Sequence, residues 1–167
     1  MKNYIKIIFI IAIINFIELS ISNALSKAYI IFPLTFLFYS YYVYKSDENI
    51  NPIEAFLFGL FVDLISNSYF GLNAILFCLT TYLINIYSNS FKLFSNLQIC
   101  IFFGLSAASY VGFTQLIINL YNFSYLTLFV SAVFNIFFCI LIAVISMYSG
   151  NLINLSLIHI SEPTRPY

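Results

Sequence analysis

Charge is what this sequence lacks most, because only 7% of its 167 residues are Asp, Glu, Lys or Arg and the formal net charge is zero. A soluble domain carries about 25% charged residues. The chain therefore has too little polar surface to cover a globule in water. Zero net charge also argues against nucleic acid as a partner, since such proteins present a basic surface. These shortages favour a protein whose solvent is the lipid bilayer.

Residues that carry chemistry are equally scarce. Tryptophan is absent, histidine occurs only at His159, and Cys78, Cys100 and Cys139 match no zinc or redox spacing. The sequence contains no nucleotide-binding, serine-hydrolase, zinc-protease or EF-hand motif. We therefore expect no catalytic residue, no metal site and no cofactor, and an enzyme is the least favoured class.

Apolar residues, by contrast, make up 62% of the chain. They form six segments, and each segment predicts a helix because a backbone in lipid must satisfy its own hydrogen bonds. The segments run over residues 4–21, 28–44, 53–65, 70–87, 97–120 and 125–148. A span needs roughly 20 apolar residues, so the third segment is short. The predicted fold class is all-α, a polytopic transmembrane helical bundle of about six helices, or of five plus a re-entrant hairpin.

The two ends of the sequence need separate treatment. Residues 156–165 resemble the translation of a sequencing-library adapter, so we interpret 156–167 as a non-native tail and 1–155 as a single transmembrane domain. The first segment also resembles a signal peptide, but its apolar run is long and five segments follow, so we expect a retained helix. A cytoplasmic N-terminus places more lysines inside than outside, namely Lys2, Lys6, Lys45 and Lys92 against Lys27.

The most informative stretch is an acid-bearing run at the end of the third segment. Its pattern resembles the signature of MreD, the membrane subunit of the bacterial rod-shape machinery, at Gly59, Asp63, Leu64, Ser66, Gly71 and Leu72, and at Tyr82 in the following helix. Asn67 stands where that family usually has glycine, and Asn135 in the last segment also fits. The resemblance covers nearly all of residues 1–155.

The resemblance implies a non-enzymatic scaffold in the bacterial cytoplasmic (inner) membrane that helps maintain cell shape. Its implied partners are the lipid bilayer, an MreC-like bitopic protein, an MreB-like actin filament, and a RodA-type peptidoglycan polymerase with its transpeptidase. The alternative is a substrate-capture subunit of a vitamin-type transporter, which resembles MreD in size and outline. Such subunits usually carry an Ala-x-x-x-Ala pair in the first helix, and Ala12 has no such mate.

Asp63 can also be interpreted from physics alone. A carboxylate costs roughly 2.5–3.5 kcal/mol at the centre of a span and less near the interface. Free N–H groups and the positive dipole end of the next helix would offset this cost if the turn is tight. We therefore predict that Asp63 clamps the turn, with Gly59 allowing close packing and Gly71 a tight turn. An interfacial acid facing water, and a group that handles protons or a substrate, remain as alternatives.

Other polar and small residues suggest packing faces. Asn15, Glu18 and Asn135 are predicted to lie on polar faces within the membrane. Asn15 and Glu18 share one face of the first helix, and Glu18 either reaches the interface or pairs with a partner or with Lys27. Small residues recur every four positions in the fifth segment, at Gly104, Ala108 and Gly112. This spacing lets helix backbones approach closely, either within the bundle or against a partner's single span.

Overall fold

The fold is all-α, as predicted. The computed structural model describes residues 2–46, 50–66, 69–91, 93–118 and 123–160, and within these ranges it contains no strand. Its α-helices are α1 (Lys2–Leu25), α2 (Leu34–Lys45), α3 (Pro52–Ser66), α4 (Leu72–Ile86), α5 (Ser88–Phe91), α6 (Asn96–Ile118) and α7 (Tyr125–Ile160). A 3-10 turn, Ser26–Ala28, follows α1. The one-turn helix α5 has no counterpart among the six predicted segments.

Helix length divides the bundle into two classes. In the part of the chain that the structure describes, three apolar stretches are long enough to cross a membrane: Ile5–Ala28, Asn96–Ile118 and Tyr125–Ile145. The chain is therefore a multi-pass membrane protein. Helix α2 has 12 residues, and α3 and α4 have 15 each, which corresponds to about 18–22 Å against a hydrocarbon core of about 30 Å. Short helices are thus more numerous than the sequence predicted, since only the third segment was expected to be short.

Helix α2 begins later than expected. The apolar segment starts at residue 28, but the helix starts at Leu34, directly after Pro33. Proline lacks an N–H group and is tolerated at a helix start, and it also disfavours a helical conformation for the residue before it. Residues 30–33 therefore form a non-helical connection, which an apolar pattern alone does not reveal.

The core lies where α2 meets the other helices. Helix α3 packs along α4 and α6 along α7, while α2 contacts α1, α4 and α6. Tyr39 of α2 is fully buried and stacks on Phe77 of α4, with ring centroids 4.2 Å apart and an interplanar angle of 10°. Its hydroxyl is 2.8 Å from Oγ1 of Thr81. A buried phenol needs such a hydrogen-bond partner, so this contact fixes α2 against α4.

Glycine permits two of the closest helix contacts. A Cβ added to Gly59 would lie 2.3 Å from the Cα of Ala74, and one added to Gly104 would lie 2.9 Å from the Cα of Ile136. Any side chain at Gly59 would therefore separate α3 from α4. Small residues let helix backbones approach in this way where lipid supplies no hydrophobic driving force. For Gly104, the structure places the contact within the bundle, against α7.

Candidate functional site

The carboxylate of Asp63 lies in the turn between α3 and α4. Its side chain is only 2% exposed, which contradicts the alternative of an acid facing water. Oδ2 accepts hydrogen bonds from the backbone N–H of Gly71 at 2.9 Å and of Ala74 at 3.4 Å. Oδ1 accepts from the backbone N–H of Asn73 at 3.1 Å and from its Nδ2 at 2.8 Å. These are the bonds expected of a clamp across the turn.

Local backbone geometry explains why the clamp comes from the preceding helix. Gly71 precedes α4 with φ of 94°, a conformation that glycine adopts readily and other residues rarely do. Glycine has no side chain to cap the first N–H groups of the helix. Asp63 supplies the missing acceptor, and its negative charge lies at the positive end of the α4 dipole. The burial cost of the carboxylate is thereby offset by several donors.

The α3–α4 hairpin is also fastened at its other end. Nδ2 of Asn85, near the end of α4, donates to the backbone carbonyl of Ile50 at 2.9 Å, just before α3 begins. One turn before Asp63, Gly59 lies against two of the residues that Asp63 binds, Asn73 and Ala74. The hairpin is therefore a closed unit, with polar contacts at both ends and a close backbone contact beside the Asp63 clamp.

Consecutive hydrogen bonds between side chains connect Asp63 to α6. The hydroxyl of Tyr110 donates to Oδ1 of Asn73, whose amide nitrogen is bound to Asp63. The ring of Tyr110 also packs on Phe36 of α2, with centroids 4.6 Å apart. Asn73 thus uses both ends of its amide, and Tyr110 connects the hairpin to α2 and α6. We call Asp63, Asn73 and Tyr110 the hairpin triad.

A second carboxylate caps a second helix. Oε2 of Glu18 accepts from the backbone N–H of Thr35 at 2.8 Å and from its Oγ1 at 2.5 Å. Nδ2 of Asn15 lies 3.4 Å from the same Oγ1. Thr35 is in the first turn of α2, so Glu18 does for α2 what Asp63 does for α4. Of the predicted roles of Glu18, which were a position at the interface or a pairing with a partner or with Lys27, none anticipated this contact with Thr35 of the same chain.

Both capping sites adjoin the same aromatic residue. The ring of Tyr110 packs on Phe36, the residue after Thr35, and its hydroxyl donates to Asn73. The two clamped helix starts, at Thr35 and Asn73, therefore lie on the same side of the bundle. The α1–α2 and α3–α4 pairs present their polar groups to one shared region.

Polar side chains of α7 fasten the connection before α2. Oγ of Ser131 accepts from the backbone N–H of Ile31 at 2.8 Å and donates to the carbonyl of Tyr29 at 3.3 Å. Nδ2 of Asn135 donates to the carbonyl of Ile31 at 3.2 Å. Asn135 and Asn15, both expected on a polar face, are instead buried, at 0% and 3% exposure. The Oδ1 atom of each has no hydrogen-bond partner among the described residues.

The remaining predicted motif residues divide between core and surface. Leu72 is buried at the start of α4, whereas Leu64 and Tyr82 are 65% and 57% exposed. Oγ of Ser66 bonds to the carbonyl of Val62 in its own helix, at 2.8 Å. Gly59, Asp63, Gly71 and Leu72 therefore meet at the hairpin, while Leu64 and Tyr82 point away from the core. A role for the exposed pair in contacts with a partner stays a prediction.

Sequence reasoning missed three members of these sites: Thr35, Asn73 and Tyr110. Asn73 lies inside the recognised run, two residues after Gly71, and a polar residue in the first turn of an apolar helix was an available signal. Thr35 gave the same kind of signal, because it is a polar residue in the first turn of α2, two positions after Pro33. Tyr110 lies mid-helix in α6, where nothing in the sequence indicated its partner. Within the described residues, no cluster of three or more His, Cys, Asp or Glu could hold a metal ion.

A comparison with protein families decides the classification. The family model described as rod shape-determining protein MreD matches residues 2–148. The chain belongs to the MreD family. The match includes both capping sites and the α6–α7 pair, so membership rests on almost the whole described bundle. Comparisons of this MreD family member with curated proteins and with solved structures gave no match.

Membership defines the general role of the protein. MreD proteins determine rod shape, and the long apolar helices place this one in a membrane. The segment 156–167 lies beyond the matched residues, and 161–167 also lie outside the described ones. Its interpretation as an adapter-derived tail, like the division at residue 155, stays a prediction.

Proposed function

We propose that this MreD family member is a non-catalytic scaffold of the bacterial cell-elongation complex. It would connect an MreC-like bitopic protein and an MreB-like filament to a RodA-type polymerase and its transpeptidase. The protein would act by lateral helix packing in the membrane, which positions its neighbours relative to one another. Family membership supports the role in shape, and the named partners come from the resemblance of the sequence.

The observation that carries this proposal is the clamped α3–α4 hairpin. Asp63 binds the first N–H groups of α4, and Asn85 closes the opposite end on Ile50. A scaffold has to present its surfaces in a fixed relation, and a hairpin fastened at both ends does this without cofactor or chemistry. The hydrogen bond from Tyr110 to Asn73 also fixes the position of α6 relative to this hairpin.

The outer surface of the bundle supports lateral packing. Phe9 and Phe16 of α1, and Phe70 at the hairpin turn, are 68–72% exposed. In a membrane such side chains contact either lipid or the spans of other proteins. A span replaces lipid at such a surface where the two helix surfaces are complementary in shape. Helix α1 leaves most of one face open, which suits a neighbour with a single span.

We also propose a cytoplasmic N-terminus in the inner membrane. The lysine distribution favours this orientation, and it would bring Lys45, at the end of α2, to the cytoplasmic surface together with the start of α1. The Glu18 and Asp63 caps would then lie toward the opposite surface. Reporter fusions after residues 46 and 29 test it, because a cytoplasmic reporter should be active only at the first position.

The decisive experiment is co-purification from cells of the full-length protein, with Asp63→Ala and Asp47→Ala as a matched pair. Asp47 lies outside the described residues and serves as a charge-matched control in the polar loop of the sequence. MreC-like and MreB-like proteins should be recovered with the parent and with Asp47→Ala, and in much smaller amounts with Asp63→Ala. Recovery of a transporter ATPase module instead would replace the scaffold with the transporter alternative.

A further inference from the structure

A cavity of about 630 Å³ opens between α1, α2, α6 and α7. Its walls are formed by aliphatic and aromatic side chains such as Ile17, Leu37, Phe103 and Phe138, and by the thiols of Cys100 and Cys139. The volume falls within the ~300–1,000 Å³ typical of small-molecule sites. We call this cavity the α2–α6 groove. Neither capping site contributes a carboxylate to its lining.

One end of the groove is chemically different from the rest. Tyr44 and Lys45, at the end of α2, and Asn96, the first residue of α6, all belong to the lining there. Lys45 is the one charged residue of this described lining, which contains no Asp or Glu. The groove therefore combines a long apolar interior with a positively charged mouth. Tyr44 and Lys45 are residue types that occur at the membrane–water boundary.

We propose that the α2–α6 groove binds an anionic phospholipid, with an acyl chain between the helices and the phosphate at Lys45. The apolar walls suit a hydrocarbon chain, and the cationic mouth complements a negative headgroup. Basic pockets between transmembrane helices bind anionic headgroups by the same charge pairing. The start of α6 adds a partial positive charge at the same mouth.

Size argues against a partner's transmembrane helix as the occupant. A span of 20 residues is about 30 Å long and at least 10 Å wide, which amounts to roughly 2,400 Å³. That is several times the volume of the groove, so the groove cannot enclose a whole span, which would only lie across its opening, whereas it can enclose a single acyl chain. The proposal does not depend on the partners named above, and its failure would leave the scaffold function intact.

The absence of tryptophan from the chain gives a direct test. Phe38 lines the groove, so Phe38→Trp places the only indole of the chain inside it. The full-length variant is reconstituted in phosphatidylcholine vesicles that contain brominated phosphatidylglycerol or brominated phosphatidylcholine at equal mole fraction. Bromine quenches the indole only at contact. Should Phe38→Trp fail to fold, Tyr41→Trp, also in the lining, takes its place.

The expected result is stronger quenching by phosphatidylglycerol than by phosphatidylcholine, with about a fivefold ratio of apparent binding constants, as one favourable cation near the bilayer surface provides. Adding Lys45→Gln should abolish this preference. Adding Lys6→Gln should retain it, because Lys6 is an exposed lysine of α1 that does not line the groove.

Three results would overturn the proposal. Equal quenching by the two lipids would remove the role of the headgroup. An equal effect of Lys6→Gln and Lys45→Gln would reduce the preference to general surface charge. Complete shielding of the indole from both lipids would indicate that protein, such as a second copy of the chain, occupies the groove.

Discussion

Asp63 and Asn73 are joined by two hydrogen bonds, because both the backbone N–H and the side-chain amide of Asn73 donate to Oδ1 of Asp63, at 3.1 and 2.8 Å. The pairing fixes the direction of the Asn73 amide, so its carbonyl oxygen is presented to Tyr110. A buried acid at the end of one helix thereby determines how the next helix starts and where a third helix docks.

Removing the charge of Asp63 tests the clamp. Asp63→Asn should lower the free energy of unfolding by about 3 kcal/mol, because an amide nitrogen would face the N–H donors of α4 and leave buried groups unpaired. The measurement is denaturation of the purified protein in mixed micelles, followed by circular dichroism. Glu54→Gln, the same change at the start of α3, serves as the control and should cost less than about 1 kcal/mol. Equal losses in the two variants would refute the clamp.

Two glycines offer a steric test of the helix contacts. Gly59→Ala should destabilise the hairpin by at least ~2 kcal/mol, since the added methyl group would meet the backbone of Ala74. Gly112→Ala is the matched control, because the nearest atom to its methyl group is a flexible Leu128 Cδ1 at 3.4 Å. Thermal unfolding of both variants in detergent decides the matter. A Gly59→Ala protein as stable as Gly112→Ala would mean that α3 and α4 are further apart than described.

Tyr110 connects the hairpin to α6 through one hydroxyl. Tyr110→Phe keeps the ring contact with Phe36 but removes the bond to Asn73, and it should cost about 1 kcal/mol. Tyr41→Phe, at a tyrosine that is 53% exposed, should be close to neutral. A double-mutant cycle with Asn73→Ala measures the coupling. Additive losses from Tyr110 and Asn73 would exclude the hairpin triad as a unit.

Glu18 is predicted to stabilise the start of α2. Glu18→Ala removes the acceptor for both the N–H and the hydroxyl of Thr35, and the loss of such a cap should cost about 1–2 kcal/mol. Glu18→Gln keeps an acceptor oxygen and should cost less. The readout is the fraction of folded protein after a heat challenge in detergent. If Glu18→Ala and Glu18→Gln behave like the parent chain, α2 does not need this cap.

The sequence predicted the local parts of this structure better than the distant ones. Asp63 binds residues only 8–11 positions away, so helix geometry and a tight turn were sufficient to anticipate the contact. Close packing at Gly59 and a tight turn at Gly71 were also predicted from the residue types themselves. The six apolar segments likewise follow from the requirement that a backbone in lipid forms helices.

The contacts that escaped prediction join residues far apart in the chain. Tyr110 is 37 positions from Asn73, and Asn135 is 104 positions from the carbonyl it binds. Apolar composition places a residue in a helix but does not determine which helix it faces. The true partner of Glu18 was also missed, because the late start of α2 put Thr35 within reach of the carboxylate. The predicted helix began with the apolar segment at residue 28, although Pro33 lies inside that segment.

The number of residues between the partners of each hydrogen bond determines when that bond can form during translation and membrane insertion. Because Glu18 meets Thr35 and Asp63 meets the start of α4 over short stretches of chain, each pair can close as soon as its second helix has emerged from the ribosome and entered the membrane. Tyr110 and Asn135 arrive later and dock onto pairs that are already formed. Assembly from the N-terminus onward would shield the Glu18 and Asp63 carboxylates from lipid early, and the last helix would then dock onto a bundle in which both already accept hydrogen bonds.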